Sequence, residues 1–406
     1  MQTIERKPLL RDFSLQASFA GLLAAFVGFA SSFAIVLQGL NAIGANNAEA
    51  ASGLMISAIA MGLGCIIFAV LTRNPVSCAW TTPGAAFLVT AGGVEGGFPV
   101  AVGAFLICAV ALTLSGLIRP FGQLVSKLPA SLASAMLGGI LLGLCFQPFK
   151  AIAVDPALGL PIFLSWVVVG VFSKPLAVPA ALLAFVIVVF FAVDMPADTW
   201  ETLLTAAKPE LILVKPEFTI AGLIGLALPL YIITMASQNI PGIAAMKTFT
   251  YPLRPSLWFS TTGALSIIAA PFAGIAVNLA AITAAMVASE DAHPDKNRRY
   301  WASIVNGIGY IFFGLTAAGI TAFVSLAPTI LIQAVAGLAL IGAFTNATLS
   351  AFKEPNEREA AAVTFLMTAS GMSLFGVSGA FWGLLAGGLV MVLKSLHQQK
   401  LKQRPT

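Results

Sequence analysis

The sequence predicts an all-α integral membrane protein with about 14 transmembrane segments. Of its 406 residues, 59% are hydrophobic and only 9% are charged, whereas soluble domains carry about 25% charged residues. Apolar runs of about 18 or more residues recur along the whole chain, and each is long enough to cross the hydrocarbon as a helix. This repetition excludes a protein with a single membrane anchor. It also disfavours an outer-membrane barrel, whose strands alternate apolar and polar residues.

Hydrophobic intervals that are nearly free of charge locate the predicted segments. They lie at 17–40, 50–71, 78–92, 98–118, 129–149, 157–172, 176–194, 218–238, 256–271, 274–289, 299–324, 327–348, 359–377 and 379–396. The third and tenth are short for full spans. A polar gap near 195–217 contains Asp198, Trp200 and Glu201 and is interpreted as a surface loop. It divides the segments into two sets of seven.

Basic residues predict that both termini lie in the cytoplasm. With that orientation, 18 of the 21 Lys and Arg residues fall in cytoplasmic segments, and only Lys150, Lys208 and Lys215 fall outside. The asymmetry supports an even number of segments as well as this orientation. The charged start of the chain is followed by a run long enough to span, so no cleavable signal peptide is predicted. Because the positive charge serves topology, no nucleic-acid partner is expected.

An internal repeat relates the two halves at an offset of 199 residues. Six of fifteen positions are identical between Pro129–Gly143 and Pro328–Gly342. The same shift superimposes the first predicted segment on the eighth. Seven is odd, so the second half enters the membrane from the opposite side. The pattern predicts an inverted-repeat transporter whose binding site lies near the bilayer midplane.

The third segment predicts a broken helix. Residues before Pro83 are β-branched, aromatic or small, and Thr82-Pro83 has the pattern of an N-cap followed by proline at the first helical position. We expect an extended stretch and then a half-helix whose free N–H groups, near Gly84 and Ala85, bind an anion. An ordinary helix with a proline kink is the alternative.

Three other segments offer polar or aromatic candidates near the same depth. In the tenth segment, Asn278 is expected to cap a second half-helix, although a helix interrupted by glycine gives the same pattern. In the eighth, Tyr231, Thr234 and Gln238 have the spacing of one helical face, and an interhelical hydrogen-bond cluster is the alternative. The first segment has Phe29 and neighbouring serines, which also suit close helix packing.

The predicted spans contain no charged residue away from their ends. All 16 Asp and Glu residues lie at segment ends or in loops, so the site should be neutral and suit a small monoanion better than a metal ion or phosphate. An enzyme is not predicted, because no nucleophile–base pair or metal-ligand cluster lies within the spans. The four cysteines lack metal-ligand spacing, and no P-loop motif is present. No cofactor is expected. The charged loop after Ser289 is either solvated or a proton entry, for which Glu290 is the candidate.

Several of these stretches resemble the BenE-type benzoate:proton symporter family. The resemblance is carried by AWTTPGAA (79–86), TMASQNIPGIAAMK (234–247), AAITAA (280–285), AHPDKNRR (292–299) and SGAFWGLLAGG (378–388). It implies two inverted repeats of seven segments, similar to uracil permease and the anion exchangers. Segments one to four and eight to eleven would form a core domain, and the others a gate domain. The implied divisions are 14–149, with segment five in the gate, then 157–194, 218–324 and 327–396.

The resemblance implies uptake of benzoate or a similar aromatic monocarboxylate with a proton, across a bacterial cytoplasmic membrane. It also admits a homodimer through the gate domain. The substrate-binding candidates are Trp80, Thr81, Thr82, Pro83, Gly84, Tyr231, Thr234, Ser237, Gln238, Asn239, Asn278, Leu279, Phe29 and Ser32. Uracil carriers use acidic residues on the eighth and tenth segments, and this chain has amides and a serine there. A nucleobase symporter or an anion channel of the same fold remains the alternative.

Overall fold

The computed structural model describes residues 12–402 apart from 94, 119–128, 193–207, 281 and 375–376. The helices of its first half are α1 Leu15–Ala30, α2 Phe33–Ala42, α3 Asn47–Thr72, α4 Thr82–Ala91, α5 Phe98–Leu117, α6 Ala130–Cys145, α7 Gln147–Val154, α8 Pro156–Phe172 and α9 Ala177–Ala192. Those of the second half are α10 Ile220–Thr248, α11 Pro255–Ala269, α12 Ile282–Ala288, α13 Tyr300–Leu315, α14 Ala317–Ser325, α15 Thr329–Ala351, α16 Arg358–Ala369 and α17 Gly379–Lys402. The predicted all-helical class is therefore correct.

Eight helices of the described residues are long and apolar enough to cross a membrane. A ninth candidate is formed by α13 and α14, which are bent by 51° at Thr316. Each of the fourteen predicted intervals contains at least one helix, but the number that cross the bilayer stays a prediction. The basic residues at positions 6, 7, 11, 119 and 127 lie outside the described residues, as do the acidic and aromatic residues predicted for the loop at 198–201.

Two serines break the first predicted segment. The helix α1 ends before Ser31, and α2 begins after Ser32. Both hydroxyls donate to the carbonyl of Gly28, at 3.4 Å and 3.1 Å. Serine hydroxyls compete for backbone carbonyls and bend helices in this way. The break places a polar turn inside an otherwise apolar segment.

The helix α10 extends ten residues beyond the predicted end and contains two π-helical turns. They span Leu223–Ala227 and Met235–Asn239. Each is followed two residues later by a proline, Pro229 or Pro241. Proline has no N–H to donate and its ring clashes with the carbonyl four residues earlier, so the helix widens before it. π-turns of this kind are frequent at functional sites.

Two short strands pair within the first and second half-helix segments of the fold. The strand β1, Cys78–Trp80, pairs antiparallel with β2, Val277–Leu279, and Ala79 lies opposite Asn278. Helix α4 follows β1, and α12 follows β2. The predicted arrangement of an extended stretch followed by a half-helix is therefore observed in both segments, and the alternative of two ordinary interrupted helices is excluded.

The thirteenth predicted segment, 359–377, is not one continuous helix. Helix α16 ends at Ala369, and Gly371 adopts a left-handed φ of 66°. A small hairpin follows, in which β3 Ser373–Leu374 pairs with β4 Val377–Ser378. Glycine at a left-handed position after a helix is a common stop signal, and it was overlooked inside the apolar run.

The helices pack in two groups. In the first, α13 packs on α3 and α1, and α5 packs on α11. In the second, α15 packs on α6 and α7, α16 on α17 and α6, and α8 on α9. Contacts between the groups include α6 with α4 and with the second π-turn of α10, and α15 with α2. The strand pair lies against α3, α11 and the second π-turn of α10.

Candidate functional site

Thr81 caps the half-helix that follows β1. Its hydroxyl accepts the Gly84 N–H at 3.2 Å, and its carbonyl accepts the Ala85 N–H at 2.8 Å. The prediction that Thr82 is the N-cap is wrong by one residue, because the helix begins at Thr82 and Pro83 is its second residue. The prediction of free N–H groups at Gly84 and Ala85 is also wrong, since both are satisfied by Thr81.

Side chains of α10 hold the two strands. Thr234 donates to the hydroxyl of Thr81 at 3.0 Å, and Asn239 accepts the N–H of Leu279 at 3.0 Å. All four residues are buried. These contacts bring together β1, β2 and the second π-turn of α10 at one point.

Asn278 lies within β2 and does not cap α12. Its fully buried amide is best oriented with the oxygen toward the Thr81 N–H and the nitrogen toward the Leu279 carbonyl, each at 3.0 Å. This orientation is assigned from the hydrogen bonds that it satisfies. The expected capping role is therefore wrong, because the strand continues through Asn278 and the helix starts later, at Ile282.

Other candidates on α10 point in different directions. The hydroxyl of Tyr231 hydrogen-bonds to Ser115 of α5 at 2.7 Å, whereas Thr234 faces Thr81. Ser237 donates to the Ile233 carbonyl of its own helix. Gln238 is half-buried in the π-turn that packs against α6. The single helical face predicted for Tyr231, Thr234 and Gln238 is thus divided between two neighbours.

An aromatic cluster lies beside β1. The indole N–H of Trp80 donates to Ser32 at 2.8 Å. Phe29 stands 5.3 Å from Trp80 and is stacked on Phe313 and Phe33 at ring-centroid distances of 5.2 Å and 5.7 Å. Trp80 is fully enclosed, with 1% of its surface exposed. Phe29 forms part of the wall of an apolar cavity of about 510 Å³, bounded also by α9, α13 and α14.

Gln38 was not predicted as a site residue. It lies on α2, which packs against α4 and α15. Both its amide oxygen and its amide nitrogen are buried, and neither has a hydrogen-bond partner among the described residues. Buried polar atoms are almost always paired, so an amide with two unpaired atoms beside a half-helix is a candidate for contact with a ligand. The sequence signal was an amide close to the end of the first predicted segment, 17–40.

The charged loop after α12 is organised by Arg299. Its guanidinium donates to the carbonyls of Ala288, His293 and Pro294 at 2.9, 2.6 and 3.3 Å. Burial raises the pKa of Tyr251, which lies against this loop, and Arg299 opposes that shift. Glu290 is exposed at the start of the loop, away from the strand pair. Among the described residues, no group of three or more His, Cys, Asp or Glu side chains could hold a metal ion.

The family model for the benzoate membrane transport protein, BenE, matches residues 11–393. This chain belongs to the BenE family. In this BenE-family chain, the motif AWTTPGAA contains Thr81 and most of β1, and the motif TMASQN contains the second π-turn of α10. Members of the family are membrane transporters, not enzymes.

Two curated relatives align over nearly the whole chain. The inner membrane protein YdcO of Escherichia coli is 39% identical over 380 residues, covering 93% of this chain and 95% of the relative. The benzoate membrane transport protein of Acinetobacter baylyi is 33% identical over 398 residues, with coverages of 94% and 96%.

Solved anion transporters share the fold. The transmembrane domain of the cyanobacterial bicarbonate transporter BicA is 14% identical with a TM-score of 0.58, covering 93% of this chain and 95% of that one. Murine Slc26a9 in the inward-facing state is 14% identical with a TM-score of 0.62, covering 98% of this chain and 70% of its own. Identity this low shows a common fold and nothing about substrate.

Proposed function

We propose that this protein imports benzoate or a similar aromatic monocarboxylate, together with a proton, across the bacterial cytoplasmic membrane. The proposal is supported most directly by membership of the BenE family over residues 11–393. The neutral, amide-rich surroundings of the strand pair suit a monoanion, because amide and hydroxyl groups bind a carboxylate without a counter-charge that would hold it too tightly for release.

The carboxylate would lie at the start of α4, between Gln38 and Gln238. Helix α2 packs against α4, and α6 packs against both α4 and the π-turn that carries Gln238. The positive end of the α4 dipole adds a sequence-independent attraction for the anion. Thr81, Pro83, Gly84, Thr234, Ser237, Asn239, Asn278 and Leu279 would shape this point, and Thr82 would face the substrate. Phe29 is the ring-contacting candidate, because it lines the apolar cavity, whereas Trp80 beside it has only 1% of its surface exposed.

Transport would proceed by movement of the first helix group against the second. The core would contain 218–324 and most of 14–149, and the gate would contain segment five, 157–194 and 327–396. The separate packing of α3 with α13 and of α6 with α15 supports this division. An anion bound between the two helix groups becomes exposed to one side of the membrane and then to the other as the groups move. This is the alternating-access mechanism of inverted-repeat carriers.

The decisive experiment measures uptake of labelled benzoate into proteoliposomes under an imposed pH gradient. Accumulation that a protonophore abolishes is expected, and flux that only equilibrates benzoate across the membrane would contradict symport. Unlabelled salicylate, uracil and bicarbonate added as competitors test the substrate class. Competition by uracil would favour a nucleobase carrier, and competition by bicarbonate alone would favour an inorganic anion carrier.

Matched glutamine substitutions test the site. Hydrogen bonds to charged groups contribute about 1.5–3 kcal/mol, so Gln38→Leu and Gln238→Leu should each raise the Kd for benzoate by about 10- to 100-fold. Gln16→Leu is the control, because Gln16 is exposed and donates to the Asp291 carbonyl in a loop. Unchanged benzoate binding in both site variants would remove the proposed carboxylate position.

A further inference from the structure

A buried polar stripe runs along α13. Ser303, Asn306 and Tyr310 are spaced by three and four residues, so they lie on one face of the helix. Each has 0% of its surface exposed, and the helix packs against α3 and α1. Polar side chains inside a membrane protein are costly unless they are paired, and they commonly mark routes for ions or protons.

One end of the stripe reaches the strand pair. The Asn306 amide donates to the Ser77 hydroxyl at 2.9 Å, and this hydroxyl bonds that of Thr283 at 2.8 Å. Ser77 immediately precedes β1, and Thr283 lies in the first turn of α12. The stripe is therefore connected by hydrogen bonds to the segment that carries β1 and to the segment that carries α12.

One turn before Ser303, Tyr300 connects α13 to a partly exposed ion pair. The hydroxyl of Tyr300 donates to the Asp12 carboxylate at 2.9 Å and accepts from the Arg73 guanidinium. Arg73 and Asp12 also form an ion pair at 3.3 Å, with about a quarter of each side chain exposed, 27% and 26%. From Tyr310 to Tyr300 the helix rises roughly 15 Å, which is about half the thickness of the hydrocarbon.

Three atoms along this stripe lack partners. The Ser303 hydroxyl, the Asn306 amide oxygen and the Tyr310 hydroxyl make no hydrogen bond of normal geometry to any described residue, although Tyr310 lies beside Thr283. Buried water molecules typically make about three hydrogen bonds to polar atoms that are otherwise unsatisfied. Three such atoms on one helical face are an arrangement that ordered water would satisfy.

We propose that the α13 stripe, formed by Ser303, Asn306 and Tyr310, holds a chain of internal water molecules that conducts the transported proton between the strand pair and the Asp12 end. This inference rests on the proposed proton-coupled uptake, with the Asp12 end on the cytoplasmic side. The carboxylic acid of the substrate releases its proton to the first water and leaves as the anion. Each water or hydroxyl accepts one proton and passes on another, so no group on the path changes its net charge. Bulk water at Asp12 takes the proton.

The helices beside the stripe offer no carboxylate that would bind the proton and hold it, so they suit a relay. None of α1, β1, α12 and α13 contains Asp or Glu. Helix α3 has Glu49 in its first turn, at the opposite end from Arg73. The titratable neighbours of the buried part of the stripe are the thiols of Cys65 and Cys78, and those of its other end are Tyr300, Arg73 and Asp12. Asn306 cannot relay a proton and would position the waters.

The test separates net transport from exchange. In counterflow, labelled benzoate outside exchanges for unlabelled benzoate inside, and the carrier need not release its proton. Tyr310→Phe and Ser303→Ala remove one hydroxyl each with little change of shape. Each should lower accumulation driven by a pH gradient at least tenfold and leave counterflow within about twofold of the parent. Tyr251→Phe is the matched control, because its hydroxyl donates to the Lys296 carbonyl in a surface loop at 3.3 Å.

Each outcome decides between the two proposals. If the parent protein shows no gradient-driven accumulation, the proposed function fails and the relay fails with it. If the parent accumulates benzoate and both variants do so equally well, only the relay is wrong. Radiolytic hydroxyl labelling provides an independent measure, because buried side chains that contact ordered water are modified. Tyr310 should be modified faster than the equally buried Phe68, and equal protection of the two would overturn the water chain.

Discussion

The indole N–H of Trp80 and the hydroxyl of Ser32 form a hydrogen bond of 2.8 Å. It joins the last residue of β1 to the break between α1 and α2, two segments that are far apart in sequence. The Ser32 hydroxyl in turn donates to the Gly28 carbonyl. This short chain fixes the aromatic cluster around Phe29 relative to the strand pair.

Ser32→Ala should reduce both stability and transport. Removing the acceptor leaves a buried indole N–H unpaired, at a cost of about 1–3 kcal/mol. We expect a lower melting temperature and slower benzoate uptake. Ser31→Ala is the control, since the Ser31 hydroxyl donates to the Gly28 carbonyl, at 3.4 Å, whereas the indole of Trp80 donates to Ser32. Equal effects of the two substitutions would show that the bond to Trp80 has no special part in positioning the cluster.

Gly28→Ala should destabilise the protein because the added methyl group has no room beside the Tyr310 hydroxyl. A Cβ at Gly28 would overlap the hydroxyl oxygen of Tyr310. The double variant Gly28→Ala with Tyr310→Phe should therefore recover much of the lost melting temperature, whatever its transport activity. Gly143→Ala provides the control, because a Cβ there meets nothing within 4 Å. A double variant no more stable than Gly28→Ala would contradict this packing.

Neighbouring amides on α10 should separate structure from binding. Asn239→Leu leaves the buried N–H of Leu279 without its acceptor, so we expect a melting temperature lower by several degrees as well as loss of transport. Gln238→Leu should weaken benzoate binding and leave the melting temperature unchanged. Thermal unfolding and equilibrium binding of the two variants are compared side by side. The assignment of Asn239 to the support of β2 fails if its loss does not affect unfolding.

The architecture could be predicted from sequence wherever hydrophobicity or proline determines it. Hydrophobic runs give the helices, and the residues around Pro83 give the strand followed by a half-helix. The choice of Thr82 rather than Thr81 as the cap failed because either hydroxyl satisfies the same local pattern. Only the pairing of β1 with β2 sets the register, and that pairing is not local.

Side-chain directions on α10 could not be predicted, because a spacing argument assumes 3.6 residues per turn. Tyr231 and Thr234 lie in the regular turns before the π-turn at Met235–Asn239 and already contact different neighbours, Ser115 of α5 and Thr81, whereas that π-turn alters the direction of Gln238. The following Pro241 was a visible signal for the irregularity. Gln38 was missed for a different reason, since an unpaired amide is recognised only when all of its neighbours are known.

The proposed orientation can be tested with introduced cysteines. The four native cysteines are buried, with at most 6% of their surface exposed, so they should not react with a maleimide in the folded protein. Exposed Asn297, in the Arg299 loop, and exposed Glu210, before α10, are predicted to lie on opposite sides of the membrane. With the N-terminus in the cytoplasm, Asn297→Cys should be labelled by an impermeant maleimide only in inside-out vesicles, and Glu210→Cys only in right-side-out vesicles.

The same pair of variants tests how the two halves are related. The basic residues Lys296, Arg298 and Arg299 near Asn297 are predicted to retain this loop in the cytoplasm under the positive-inside rule. Between positions 210 and 297, the predicted topology has three membrane passages, formed by α10, α11 and the β2–α12 segment, and this odd number places the two labels on opposite sides. Labelling of both cysteines from one side would mean that β2–α12 re-enters without crossing. The inverted repeat proposed from the offset of 199 residues would then lose its symmetry.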